Sequence, residues 1–163
     1  MVRRALRGDP ALSLSKHFAI GEFLSENDPV KPSPEAVESL KDLCELALEP
    51  LREALGRPLK ISSGYRSPAY NRLIGGAPGS QHCAGIAADI LMNSDSEQLK
   101  AAAIASNIKG IGGIGIYPGR GFIHVDIRPR IGGKPTTWAQ LKGKYHAIPV
   151  ELRMAIKAHG GKL

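Results

Sequence analysis

His82 and Asp89 stand seven residues apart in the stretch Ser80-Gln81-His82-Cys83-Ala84-Gly85-Ile86-Ala87-Ala88-Asp89. An imidazole and a carboxylate are ligands of the kind Zn²⁺ takes. Gly85 and the alanines around it let the backbone pass close to an ion without side-chain crowding. A third donor, His124, lies in Gly121-Phe122-Ile123-His124-Val125-Asp126-Ile127-Arg128. Two histidines and one carboxylate leave a fourth position open for water, as a catalytic zinc site needs. The run around Asp89 is so apolar that its carboxylate is costly to bury unless metal-bound or ion-paired.

The elements that must position these residues can be read from periodicity. Ala84 to Leu91 reads as a strand with Ile86, Ala88 and Ile90 on one face and Ala87, Asp89 and Leu91 on the other. Gly110 to Tyr117 reads as a second strand, and Tyr117-Pro118-Gly119-Arg120-Gly121 as a hairpin turn. In the strand that follows, Ile123, Val125 and Ile127 face the core, while Phe122, His124, Asp126 and Arg128 share the other face. Leu59 to Ser62 is a short strand leading to the turn Gly64-Tyr65-Arg66, and Pro68 to Ile74 a short helix. His17 to Leu24 is a turn or short helix, and Asn27 to Pro34 a proline-rich loop.

Three longer helices are expected. The first is capped by Ser33 with Pro34 at its first position, and Val37, Leu40, Cys44, Ala47, Leu48, Leu51 and Leu55 form its apolar stripe. Pro50 should kink or split it, and Gly56 should end it. Asn93 to Ser106 is an alanine-rich helix with Ser94 or Ser96 at its cap, and Pro149 to His159 a closing helix. Residues 129–135 read as a Gly/Pro-rich connection leading to Trp138. His146 and His159 read as surface residues.

The 163 residues, 42% of them apolar, fit one domain with an ordinary core. Residues 1–16 read as a basic arm, and residues 17–163 as the domain, with a basic extension from about 129. No run reaches the ~18 apolar residues of a membrane span, so no membrane insertion is expected. No signal peptide is seen at the N-terminus, so any action outside the cell would need another release route, such as lysis or a phage pore. Cys44 falls on a buried helical stripe. Cys83 could be a metal thiolate, but without a second cysteine at a metal-type spacing a free packed thiol is preferred. The net charge of +7 is concentrated at the ends: residues 128–163 hold eight Lys or Arg against one acid. No nucleic-acid motif accompanies that charge, so nucleic-acid binding is not expected. Attraction to anionic wall polymers or a plain solvated surface are the alternatives.

The motif His82-x-x-Gly85-x-Ala87-x-Asp89, followed by an apolar strand carrying His124, resembles the zinc D-alanyl-D-alanine peptidases. These are murein carboxypeptidases and endopeptidases, phage endolysins among them, and hedgehog signalling domains belong to the same structural group. Ser62-Ser63-Gly64-Tyr65-Arg66-Ser67-Pro68 looks like the family's substrate-binding arginine turn, and His17-Phe18 with Glu22-Phe23 looks like the opening of its phage-type members. The resemblance covers roughly residues 15–138. It implies an α+β fold with a small, mainly antiparallel sheet flanked by helices, and one Zn²⁺ held by His82, Asp89 and His124. It also implies hydrolysis of an amide bond in peptidoglycan stem peptides. Arg66 would bind a substrate carboxylate, unless it makes a structural ion pair, and Tyr65 and Ser80 would shape the pocket. A non-catalytic cell-wall-binding or structural module of the same fold is the rival reading.

One departure matters. Where the family often places an acid three positions before the last ligand, or a histidine two before it, this chain has Gly121 and Phe122. Asp126 is the nearest acid, about 6.5–7 Å along the strand from His124 on the same face. Two roles stay open for it: general base, or a residue that orients a histidine ligand or pairs with Arg66 or Arg128.

Overall fold

The computed structural model describes residues 11–163. Residues 1–10, most of the expected basic arm, lie outside the described residues. Within the rest, Leu14 is buried in the core and Ser13 bridges to Ala19.

Ser33 caps helix α1 (Pro34–Leu43) by accepting a hydrogen bond from the Ala36 N–H. Pro50 has no N–H to give to the turn before it. The helix responds with one wide turn over Cys44–Leu48, where Glu49 N–H bonds the Cys44 carbonyl, and then continues as α2 (Glu49–Leu55). Gly56 ends it in the left-handed conformation. The expected interruption is therefore a widened turn.

Six strands form one sheet in the order β1-β2-β4-β3-β5-β6: β1 (Ile61–Ser63), β2 (Ala87–Leu91), β3 (Gly113–Tyr117), β4 (Phe122–Asp126), β5 (Thr136–Leu141) and β6 (Lys144–His146). All pairings are antiparallel except β3 with β5. The fold is α+β, as the sequence implies. One face of the sheet is apolar: Ala88, Ile90, Ile114, Ile116, Ile123, Val125 and Ala139 are fully buried. Helix α3 (Pro68–Leu73) follows the arginine turn, and helix α4 (Asp95–Asn107) packs on β3 and β4 and touches α2 and α5 (Val150–Ala158). Ala101, Ala102, Ala103 and Ala105 are all fully buried, because small side chains let neighbours close on several sides of α4. Ser94 is its cap, accepting from the Glu97 N–H.

Strands β5 and β6 were not legible in the sequence. They turn the last fifth of the chain into part of the fold, with Ala139, Ile148 and Ile156 in the core. Some of the basic charge there is structural too. Arg130 donates to the carbonyls of Ser106, Ile108 and Ile111, where a cation complements the end of α4.

Candidate active site

The opposite face of the sheet carries the chemistry. Asp89 pairs with His124, His124 with Gly115 and Gly115 with Trp138, a single row across β2, β4, β3 and β5. The glycines make this row possible. A Cβ at Gly115 would lie 2.5 Å from the Trp138 indole, and one at Gly113 would lie 2.3 Å from the Asp126 carboxylate. Trp138 therefore lies over β3 and reaches His124, with ring centroids 5.1 Å apart.

His82 arrives from outside the sheet, on the 3-10 turn Gln81–Ala84. Ser80 caps this turn by accepting from the His82 N–H. Gly85 closes it at φ +74, and a Cβ there would be 2.7 Å from the Ala36 carbonyl oxygen. The arginine turn is fastened to it through the bond from Arg66 N–H to the His82 carbonyl. Buried Asp28 holds the same turn by accepting from Ser67 N–H (2.7 Å) and Ser67 Oγ (2.8 Å).

Hydrogen bonds fix both imidazoles. His82 Nδ1 is 2.6 Å from the Gly64 carbonyl oxygen, which can only accept, so Nδ1 carries the hydrogen and Nε2 turns its lone pair toward Asp89, 3.4 Å away. His124 Nε2 donates to Asp126 Oδ2 at 2.8 Å, which leaves Nδ1 facing Asp89 Oδ1 at 3.0 Å. His82, Asp89 and His124 thus present one donor atom each, all within 4.8 Å of one another. Two imidazole nitrogens and a carboxylate oxygen converging in this way fit a divalent zinc-type ion, with the other ring nitrogens engaged as metal-bound histidines require.

The electrostatics follow from burial and pairing. Burial pushes the His82 pKa down, only partly offset by Asp89. Burial opposes charge on His124 as well, but the Asp126 and Asp89 carboxylates on its two sides outweigh it and raise its pKa. Asp89 is held well below the usual carboxylate range, its burial overcome by both histidines. Asp126 is lowered to about 2 because His124 and Arg128 outweigh its burial.

Asp126 is completely enclosed. It accepts from His124 Nε2, from Arg128 Nε (2.8 Å) and Nη2 (2.6 Å), and from the Arg128 backbone N–H (3.1 Å). It is not among the residues lining the cleft. Of its two expected roles, this is the geometry of the orienting one. The partner is Arg128, and not Arg66.

A cleft of about 560 Å³ opens above the row, a size that takes a small ligand or a short peptide segment. Arg66 lines it, with Nε donating to Ser63 Oγ, Nη1 to Asn71 Oδ1, and Nη2 3.6 Å from Asp89 Oδ2. Ser80 lines it too. Tyr65 does not: its side chain is in the core, facing Leu24, Ser25 and Asp28. Cys83 is a half-buried free thiol and Cys44 a fully buried one.

Sequence reading placed Phe122 and Arg128 on the face of His124 but missed Tyr117, Arg120, Trp138 and Tyr145, which complete the far wall of the cleft. Tyr117 and Phe122 stack at 4.3 Å, Trp138 Nε1 donates to Tyr117 Oη, and the Arg128 guanidinium lies 5.1 Å from the Trp138 ring centre. The available signals were the alternating Gly113-x-Gly115 and the lone tryptophan in the β-prone run Thr136-Thr137-Trp138.

No curated protein matches the chain. The family model for Peptidase M15 matches residues 16–126, about two thirds of the chain, and takes in His82, Asp89, His124 and the arginine turn. With the three donors converging at the floor of a cleft, the family match settles the lineage: the chain belongs to the M15 peptidases, a zinc-dependent family.

Proposed function

We propose that the protein is a zinc peptidase that hydrolyses an amide bond in peptidoglycan stem peptides. The observation that carries this reading is the convergence of His82 Nε2, Asp89 Oδ1 and His124 Nδ1 at the floor of the cleft, with the other nitrogen of each ring already hydrogen-bonded. Zn²⁺ held there would supply a Lewis acid and a water of lowered pKa. The chain's own residues do the rest. Gly64 and Asp126 keep the two imidazoles in the right tautomer. Arg66, presented by Ser63 and Asn71, offers a planar fork to a substrate carboxylate. Ser80 shapes the turn that carries His82. Asp126 acts through His124 as its orienting partner, and Arg128 neutralises the charge of that carboxylate.

Digestion of purified peptidoglycan by the zinc-loaded protein, with fragments identified by mass spectrometry, tests the reading and names the bond. New amine termini that disappear in His124→Ala support it. Intact peptidoglycan under zinc and other divalent ions would overturn it in favour of a non-hydrolytic wall-binding module.

A further inference from the structure

Arg120 stands at the tip of the β3–β4 hairpin, exposed and on the cleft. Its Nη1 donates to Gln140 Oε1 on β5. Its guanidinium carbon lies 5.9 Å from the ring centre of Tyr117 and 5.3 Å from that of Phe122. Arg57, Arg66 and Arg128 each have a carboxylate within 4.0 Å. Among the described residues, none lies that close to Arg120. Its neutral partners hold the cation in place without cancelling its charge, and four of its five N–H donors remain for a ligand.

Asp126 is neutralised by Arg128 beneath the floor. Arg66 Nη2, at 3.6 Å from Asp89, is not hydrogen-bonded to it, so the cleft is left with two guanidinium groups, one toward each end of the row Asp89-His124-Gly115-Trp138. Arg66 reaches toward Asp89 on β2, and Arg120 is tied to Gln140 on β5. Arg120 also lies beside Tyr117 on β3 and Phe122 on β4, two residues along those strands from the row, so the two anchors are about two strand spacings apart across the sheet and about two residues along it, on the order of 12 Å. An extended peptide covers that distance in about four residues.

We infer that Arg120 is the anchor for a second substrate carboxylate, so that the cleft selects peptides carrying two carboxylates about three to four residues apart. The inference rests on the stem-peptide reading and adds to it which stems are taken. A pentapeptide stem carries its C-terminal carboxylate and, three residues earlier, the α-carboxylate of its γ-linked D-glutamate. Converting the latter to an amide removes the charge and keeps the shape.

The test uses zinc-loaded protein and two synthetic probes: L-Ala-γ-D-Glu-L-Lys-D-Ala-D-Ala and its counterpart amidated at the D-glutamate α-carboxylate. Calorimetric titration and amine release are followed in parallel. If the peptides are cleaved, the ratio of their KM values reads the preference; if neither is cleaved, the heats are those of binding alone and the ratio of Kd values reads it. Absence of cleavage thus counts against the hydrolytic reading without touching this one. The expected ratio is about five- to tenfold in favour of the free carboxylate. It should fall to about 1 in Arg120→Gln and be partly kept in Arg120→Lys, with melting curves confirming that both variants are folded. Equal affinity of the wild type for the two probes would overturn the inference. So would an Arg120→Gln variant that weakens both probes equally, because Arg120 would then only shape the wall.

Discussion

Replacing Asp126 by asparagine keeps the shape of the side chain and changes only what it can accept. In the native protein both carboxylate oxygens are in use: Oδ2 accepts from His124 Nε2 and Arg128 Nη2, and Oδ1 from Arg128 Nε and the Arg128 backbone N–H. An amide has one oxygen. If it takes the Oδ2 place, the NH₂ group confronts two Arg128 donors. If it takes the Oδ1 place, the NH₂ group confronts Arg128 Nη2 and His124 Nε2, and the imidazole is driven toward the tautomer with hydrogen on Nδ1, the nitrogen that should hold the metal. Either way two charge-assisted bonds are lost at an enclosed site. That should cost the metal-free protein about 2–3 kcal/mol, less than a fully buried pair because Arg128 is about a quarter exposed. Zinc affinity should fall about 10- to 100-fold, as for loss of a partner that orients a metal-bound histidine. Competition with a chromophoric chelator measures the affinity, and urea titration of metal-free protein measures the stability. A variant that binds zinc like the wild type yet loses its activity would refute the orienting role and return Asp126 to the part of general base.

Three further outcomes are expected. Gly115→Ala should push the Trp138 indole off His124 and lower stability by about 1–3 kcal/mol, the usual cost of overpacking, with a changed tryptophan emission spectrum; an unchanged urea midpoint would contradict the steric argument. Glu97 is held below the usual carboxylate range by Arg57, with burial opposing and the Asn93 N–H assisting. Its contribution should be complete above an unfolded pKa of about 4.3 and fade as pH falls through the lowered folded value. The stability gap between wild type and Glu97→Gln should therefore shrink between pH 7 and pH 3, and a constant gap would rule this out. Burial pushes the Cys44 thiol up to about 12, so a thiol reagent at neutral pH should label Cys83 in the native protein and reach Cys44 only in denaturant; two fast thiols in the folded state would be the contrary result.

Part of the His82-Asp89-His124 cluster was legible because Asp89 and His124 rest on strands that alternate. Once Ile123, Val125 and Ile127 are assigned to the core, His124 and Asp126 must share the other face, and the same logic places Asp89. The helix signals were equally local: Ser33, Ser94 and Gly56 each act on their own backbone. The part of the far wall on β5 and β6 was not legible, for two physical reasons. The turn between β5 and β6 uses Lys142 and Gly143, both at positive φ, rather than the Asn-Gly or Asp-Gly that announces such a hairpin. And β5 joins the sheet parallel to β3 after passing over it from β4, so its partner is distant and leaves no local mark. The enclosure of Asp126 between His124 and Arg128 depended on where Arg128 would point, which strand periodicity alone does not say. The burial of Tyr65 was hidden for a similar reason: the turn has no fixed period, and the bond from Tyr65 N–H to the Phe23 carbonyl that holds it at the core joins residues far apart in sequence.

The row Asp89-His124-Gly115-Trp138 crosses the strands instead of following one. A peptide lying along that row runs perpendicular to every strand beneath it, so it cannot extend the sheet, and no ladder of amide bonds reads its backbone. Its grip must come from end groups, charges and ring faces. None of these demands one handedness at each α-carbon or an unbroken run of α-linked amides. A floor laid out this way has no strand register for a mirror-image residue or a branched linkage to break, as either would in a peptide bound as an added strand.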